Sequence, residues 1–462
     1  MRGHPARLTA LAVPVYAELL SGVIASVIGT FWVAGLGGAA VAAVTLAGTV
    51  ENLLLGLVLV VASGTSVRLA RALGAGDPAE AARTTRAAWR LCAAGSLVLA
   101  VPGFLLRDRL AGAFLDGEAA ARAAEYFTVA FPAFVLFFGQ RVADEFFKGA
   151  GDTRTPMRIA LLSNALLLAL DPLLVLGPGP LPALGVPGAA LALALSRAIA
   201  LAVTLRLLLR RRPEQPTGGG TGGVGGAAVR ILRAGTPFGL DFTARMAVGT
   251  AQLGLVAGFG VAAVAGYGVG YRVLLVVTMA FYALRQAAAI EAARLTGAGA
   301  GAALHTLHRD TGRLAAGLGA VAALLSAALA VPLTALFTDD RAVAAQSVGF
   351  LRMAALYLLP YALVVALGGV HQGAGAGRPL VFSVLFGLGV QLGTSAALSG
   401  PLGVSGVWLG PAAGAVVQLA LLSLLTRGRA LSAQQAQAQV QEPEAAPVPI
   451  PGDAARARPP IE

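Results

Sequence analysis

The sequence predicts an all-α polytopic membrane protein. Twelve transmembrane helices form two six-helix bundles, related by a pseudo-two-fold axis along the membrane normal. Three observations predict this. Of 462 residues, 57% are hydrophobic and only 12% charged, about half the charged share of a soluble domain. Apolar runs such as "IALLSNALLLALDPLLVLGPG" reach the ~20 residues needed to cross ~30 Å of hydrocarbon. The second half of the chain also repeats the first.

Taken in order, the first run, 8–32, follows a basic start, "MRGHPAR". It continues far past a signal-peptide core and lacks a small-x-small site at the right distance, so it reads as an uncleaved helix. The second, 39–67, stops at Arg68 and the turn "GAGDP". The third, 87–106, and fourth, 124–147, flank a charged connection, and the fourth ends in "FKGAGDTRTP". The fifth, 156–176, starts at Pro156, and the sixth, 185–209, ends in consecutive arginines. The second half supplies 231–257, 261–285, 312–336, 346–370, 379–399 and 403–426. Runs of this length are too long for barrel strands.

The domain division follows: a bundle over 1–210, a glycine-rich linker over 211–228, a bundle over 229–430, and a disordered tail over 431–462 rich in Gln, Ala and Pro. The repeat has an offset of 223 residues. "VAGLGGAAVAAVTLAG" from Val33 aligns with "VAGFGVAAVAGYGVG" from Val256. Pro14 pairs with Pro237, and Gly74 and Gly76 pair with Gly297 and Gly299. "FKGAGDTRTPM" has its copy in "HQGAGAGRPL". Six spans per half give both halves one orientation, hence a parallel repeat.

Charge is partitioned between the connections. The formal net charge is +12, yet the arginines form no nucleic-acid patch. They gather in alternate loops, while 33–38, 177–184 and 258–260 carry no charge. By the positive-inside rule the basic loops and both termini are cytoplasmic, which fits a multi-pass protein of the cell membrane. The single cysteine, Cys92, excludes an internal disulfide or thiolate cluster and reads as a packing residue. "GAGDTR" lacks the spacing of a phosphate loop and reads as a tight turn in which glycine supplies positive φ. His305 and His308 have no third ligand and read as solvated. No catalytic constellation, metal site or bound cofactor is expected.

Several features together carry a family resemblance: "GTFWVAGLGGAAVAA", "RALGAGDPAEAAR", "FKGAGDTRTPM", "LDPLLVLG" with "GVPGAALA", and "RLTGAGAG". In order and spacing over nearly all of 10–430, the chain resembles the multidrug and toxic-compound extrusion (MATE) transporters. The resemblance implies two bundles in a V around a central cleft. It also implies export of small organic, often cationic, compounds in exchange for H⁺ or Na⁺. The chain departs from the family where Gly29 and Leu167 replace family-typical polar residues of the first half, and Leu193 replaces one in the sixth helix. Asp171 remains. Na⁺ needs several oxygens together, so this depletion favours H⁺ as coupling ion.

Ionisable groups inside apolar runs are costly and face cavities or partners. Glu18 and Asp241 are related by the 223 offset and are expected to face each other across the cleft, binding a proton or a cationic substrate. The competing reading neutralises Asp241 with Arg245, one turn on, and leaves Glu18 hydrogen-bonded only. Asp171 is the proton-linked candidate of the first half, or else a helix-breaking Asp-Pro element. Glu51 and Asn52 are weaker cleft candidates. Arg272 either balances the acids or snorkels outward. Tyr271, Tyr357 and Tyr361, with Tyr267 and Tyr282, are candidates for cleft walls that hold organic cations.

The expected function is a secondary exporter, cation-coupled and working by alternating access as a monomer, with the bilayer and a small organic cation as its partners. Two alternatives remain. One is a lipid or lipid-linked oligosaccharide flippase, suggested by Arg245, Arg272 and Arg197. The other is a non-transporting scaffold that has lost its ion site, suggested by Gly29 and Leu167.

Overall fold

A computed structural model describes residues 4–177, 182–210 and 224–441. The described residues are helical throughout apart from short turns. The first half contains α1 (His4–Ala34), α2 (Gly38–Gly74), α3 (Pro78–Leu105), a short α4 (Arg107–Gly112), α5 (Gly117–Gly149), α6 (Arg154–Asp171) and α7 (Gly185–Arg210). A π-turn, Pro172–Leu176, follows α6. The second half contains α8 (Val224–Ala257), α9 (Val261–Gly297), α10 (Gly301–Ala328), a short α11 (Ala330–Ala335), α12 (Arg341–Gly373), α13 (Gly377–Leu402) and α14 (Val404–Gln441).

Element ends repeat with the expected offset. α2 and α9 begin and end 223 residues apart, as do α3 and α10, and the short α4 and α11. One short helix is a correction: the ninth run, 312–336, turns a corner after Ala328, whereas α3 ends at Leu105 as the third run does and α4 falls in the charged connection that follows. Pro102 and Pro332 lie beside these breaks, where a missing N–H and ring clash weaken helix continuation. The glycine turns behave as expected, with Gly151 at φ 85° and Gly375 at φ 86°. Of the linker, 211–223 lies outside the described residues, and the rest opens α8. α14 continues to Gln441, consistent with the helix propensity of alanine and glutamine, and 442–462 lies outside the described residues.

Eleven of the described helices are long and apolar enough to cross a membrane. The twelfth long helix, α8, is not among them; it carries Asp241, Arg245 and Gln252 along its length. α2 and α9 have 37 residues each, roughly 55 Å at 1.5 Å per residue. They outrun the ~30 Å hydrocarbon, so Arg68, Arg71 and Arg294 reach the basic side.

The halves meet through small residues at that side. A Cβ on Gly64 would overlap the Ile231 carbonyl, and one on Gly235 would overlap that of Val60. Likewise, Gly74 abuts the Arg294 carbonyl and Gly297 that of Arg71. Such backbone-to-backbone crossings are how helices pack in lipid, where the hydrophobic effect gives no drive. Buried clusters that mix the halves gather toward these ends, and in one of them Ala227 and Ile231, near the start of α8, pack among first-half residues that include Val61, Leu69 and Phe138. Another joins Leu8 and Leu11 to Leu284, Ala287 and Leu295; a third joins Val67 and Ala70 to Ile290 and Ala293. Clusters at the opposite ends stay within one half: Val33, Ala40, Phe127 and Val186 in the first, Val256, Tyr267, Phe350 and Trp408 in the second. The seam is therefore closed on the basic side, and the far ends pack separately.

Candidate ion and substrate sites

Three polar clusters interrupt the apolar interior. The first is built on α1 and the last two turns of α5. Lys148 donates to Glu18 Oε1 at 2.8 Å and to Glu145 Oε1 at 3.0 Å. Arg141 Nη1 lies 3.7 Å from Glu18. Asp144 accepts from Gln140 at 2.7 Å, and Gln140 also donates to Thr204 of α7 at 3.1 Å. From the other half, Gln286 of α9 donates to Glu145 at 3.0 Å. Glu18, Asp144, Glu145 and Lys148 are all buried. An unpaired charge here would be costly, so each acid finds a donor. Lys148 lies one residue before the end of α5, and it reaches Glu18 near the middle of α1.

The second cluster surrounds Asp241. Arg245 Nε donates to Asp241 Oδ1 at 2.7 Å, and Arg285 of α9 donates to Oδ2. Arg245 Nη2 reaches Gln418 Oε1 of α14 at 3.2 Å. Arg245 lies over the Tyr361 ring at 4.9 Å and Arg285 over Phe238 at 4.4 Å. Tyr361 shares a 3.1 Å hydrogen bond with Tyr282 and packs edge-on against Tyr357. Tyr267 stacks on Tyr271. Tyr357 has Tyr361, Tyr267, Tyr271 and Arg245 as electrostatic neighbours, so the aromatic candidates form one wall. Arg272 is exposed and makes no ion pair among the described residues.

The third cluster is sparse. Asp171 is 1% exposed, and neither carboxyl oxygen has a hydrogen-bond partner among the described residues. Tyr126 is its neighbour, and Tyr126 in turn lies near Glu51 and Arg197. Arg197 Nη2 lies 3.5 Å from Glu51 and stacks over Phe137. Asn52 is exposed. The equivalent place in the second half is polar but uncharged. Gln391 donates to Gln252 at 3.0 Å, Gln252 to the Val407 carbonyl at 3.1 Å, and Ser395 to the same carbonyl at 2.8 Å.

Glu18 and Asp241 thus belong to separate ion clusters, each neutralised by its own cations, rather than facing one another as a pair. The Asp241–Arg245 contact is the i,i+4 pairing weighed in the sequence. The sequence reading missed Arg141, Asp144, Glu145, Lys148, Arg285, Gln286 and Gln418. One signal was present: Lys148 is the only lysine among the 34 Lys and Arg residues. His308, expected to be solvated, stacks on the buried His371 at 5.4 Å. Cys92 packs in an apolar cluster as expected.

The MatE family model matches residues 14–173 and matches again at 237–396, the same 223 offset that relates the halves. The chain belongs to the MatE family. The probable multidrug resistance protein NorM of Deinococcus radiodurans is 30% identical over 437 residues, covering 91% of this chain and 94% of that protein. A probable NorM of Thermotoga maritima is 32% identical over 195 residues, and the match spans 40% of each chain. Among solved structures, the Vibrio cholerae MATE transporter VcmN in its bent form superposes with a TM-score of 0.84. At 19% identity it covers 91% of this chain and 95% of that one. The chain thereby has the two-bundle MatE fold, and the clusters above are the polar interior of such a protein.

Proposed function

We propose that this MatE protein exports small organic compounds from the cytoplasm in exchange for protons, by alternating access. The single observation that carries the proton reading is Asp171: a fully buried acid whose two oxygens have no partner among the described residues. A bare carboxylate at membrane depth is expensive, and taking up a proton removes the charge without further ligands. Na⁺ would ask for several converging oxygens, and Gly29 and Leu167 supply none.

Alternating access is supported by the one-sided seam. With the basic side cytoplasmic, this arrangement is closed inward and open outward, in a multi-pass protein of the cell membrane with both termini cytoplasmic. The export cycle would break the crossings at Gly64, Gly74, Gly235 and Gly297 and rejoin the far ends. The multidrug names of the relatives support small organic substrates. The tyrosine wall and the acids Glu51 and Asp171 suit a cationic group. We take the working unit to be the monomer.

A second reading, transport of an organic anion or anionic headgroup, has its own observation. Around Asp241 the buried Arg285 and the half-buried Arg245 face one carboxylate, and Nε and Nη2 of Arg285 have no acceptor among the described residues. The test is accumulation of matched cationic and anionic dyes in cells with and without the protein. The proposal expects lower cation accumulation, restored by a protonophore. Exclusion of the anion alone supports the second reading; equal accumulation of both dyes with and without the protein rejects transport.

A further inference from the structure

The Lys148 cluster has a charge balance that hydrogen bonding does not close. Three carboxylates, Glu18, Asp144 and Glu145, meet two cations, Arg141 and Lys148. Lys148 serves Glu18 and Glu145, and Arg141 leans toward Glu18. Asp144, 6% exposed, makes no ion pair among the described residues; its donor is the neutral amide of Gln140. The charged groups acting on it are Glu18 from α1 and Lys148 and Arg141 from α5. α7 contributes the neutral Thr204, which accepts from Gln140, and α9 the neutral Gln286, which donates to Glu145. On α3, Arg86 and Arg90 are exposed. A second observation points the same way: Glu18, 5% exposed, leaves Oε2 buried with no hydrogen-bond partner among the described residues. The cluster therefore holds one negative charge too many for a buried site.

Its position gives that excess a consequence. Glu145 accepts from Gln286 across the seam, so the cluster clasps the first half to the second on the closed side. Opening that side breaks the clasp and brings water to the acids. The cation is the chain's sole lysine, a compact ammonium with three donors that can serve two carboxylates at once.

We propose that Asp144 is a second proton-binding site, distinct from Asp171, whose proton is exchanged as the Glu145–Gln286 clasp opens and closes. With the seam shut, Asp144 is held as the neutral acid and the cluster is balanced. With the seam open, hydration supports the extra charge, and the proton passes to water: the Asp144 O–H bond breaks and one forms on water, giving hydronium. The return step reverses this. The inference rests on the proton-coupled reading above and extends it from one site to two.

The test is infrared spectroscopy of the purified full-length protein in lipid at neutral pH, in the region where a protonated carboxylic acid absorbs. Wild type is expected to show a carbonyl band that Asp144→Asn removes, separate from any component removed by Asp171→Asn. Asp144→Glu should shift the band rather than abolish it, which keeps the test open if the asparagine variant folds poorly. An unchanged band in both Asp144 variants overturns the proposal. In vesicles, Asp144→Asn should move one proton fewer per substrate than wild type, and an equal count counts against it. The infrared measurement needs no transport, so its failure is distinct from failure of the coupling reading, which Asp171→Asn tests by efflux.

Discussion

At the scale of single residues, the interior separates acids that have partners from Asp171, whose oxygens have none among the described residues. Lys148 holds two buried carboxylates, and removing one member of a buried pair costs about 3–5 kcal/mol because the other charge is stranded. Lys148→Met should therefore lower the thermal midpoint of the purified protein clearly. Lys148→Arg should recover only part of the loss, since a planar guanidinium does not fit where a compact ammonium sat. Asp171→Asn should behave in the opposite way. No partner is lost and an ionisable group leaves the apolar interior, so the midpoint should hold or rise while proton-driven efflux disappears. A large fall in stability for Asp171→Asn would mean that the carboxylate is a structural anchor.

At the scale of helices, the seam depends on positions where a side chain has no room. Gly64 and Gly235 cross one another's helices with carbonyls in the way of any Cβ. Gly64→Leu should push α2 and α8 apart at the basic ends. The measurable result is faster maleimide labelling of a cysteine placed at Ala293, which is 0% exposed; the native Cys92 is buried and gives a low background. Unchanged labelling would mean that the crossing is not a contact the transport cycle must break. Much of this element-level architecture was legible in the sequence. Run length gave the spans, and repetition gave the 223 offset, because both are properties of neighbouring residues. The Asp241–Arg245 pair was legible for the same reason, lying one turn apart. The Glu18–Lys148 and Asp241–Arg285 contacts were not. They join residues 130 and 44 positions apart, and periodicity does not say which helix a given face meets. The corner at α11 was hidden inside an apolar run, where a break in direction leaves hydropathy unchanged.

At the scale of the whole molecule, two copies of one bundle are joined on the arginine-rich side and packed separately on the other. Cysteines at Ala70 and Ala293, which share one buried cluster across the seam, should cross-link on oxidation and stop export, with activity returning on reduction. Full export by the cross-linked protein would exclude opening of that side. Repetition makes the halves alike in backbone, but their chemistry differs: an unpartnered acid in one, a neutral hydrogen-bonded chain in the other. Coupling by Asp171 is the claim on which the functional account turns. It is tested most directly by dye transport in reconstituted vesicles under an imposed proton gradient, with Na⁺ absent and then with a Na⁺ gradient alone. The account predicts transport with the proton gradient only, abolished in Asp171→Asn. Transport driven by Na⁺ alone, or proton-driven transport undiminished in Asp171→Asn, would contradict it.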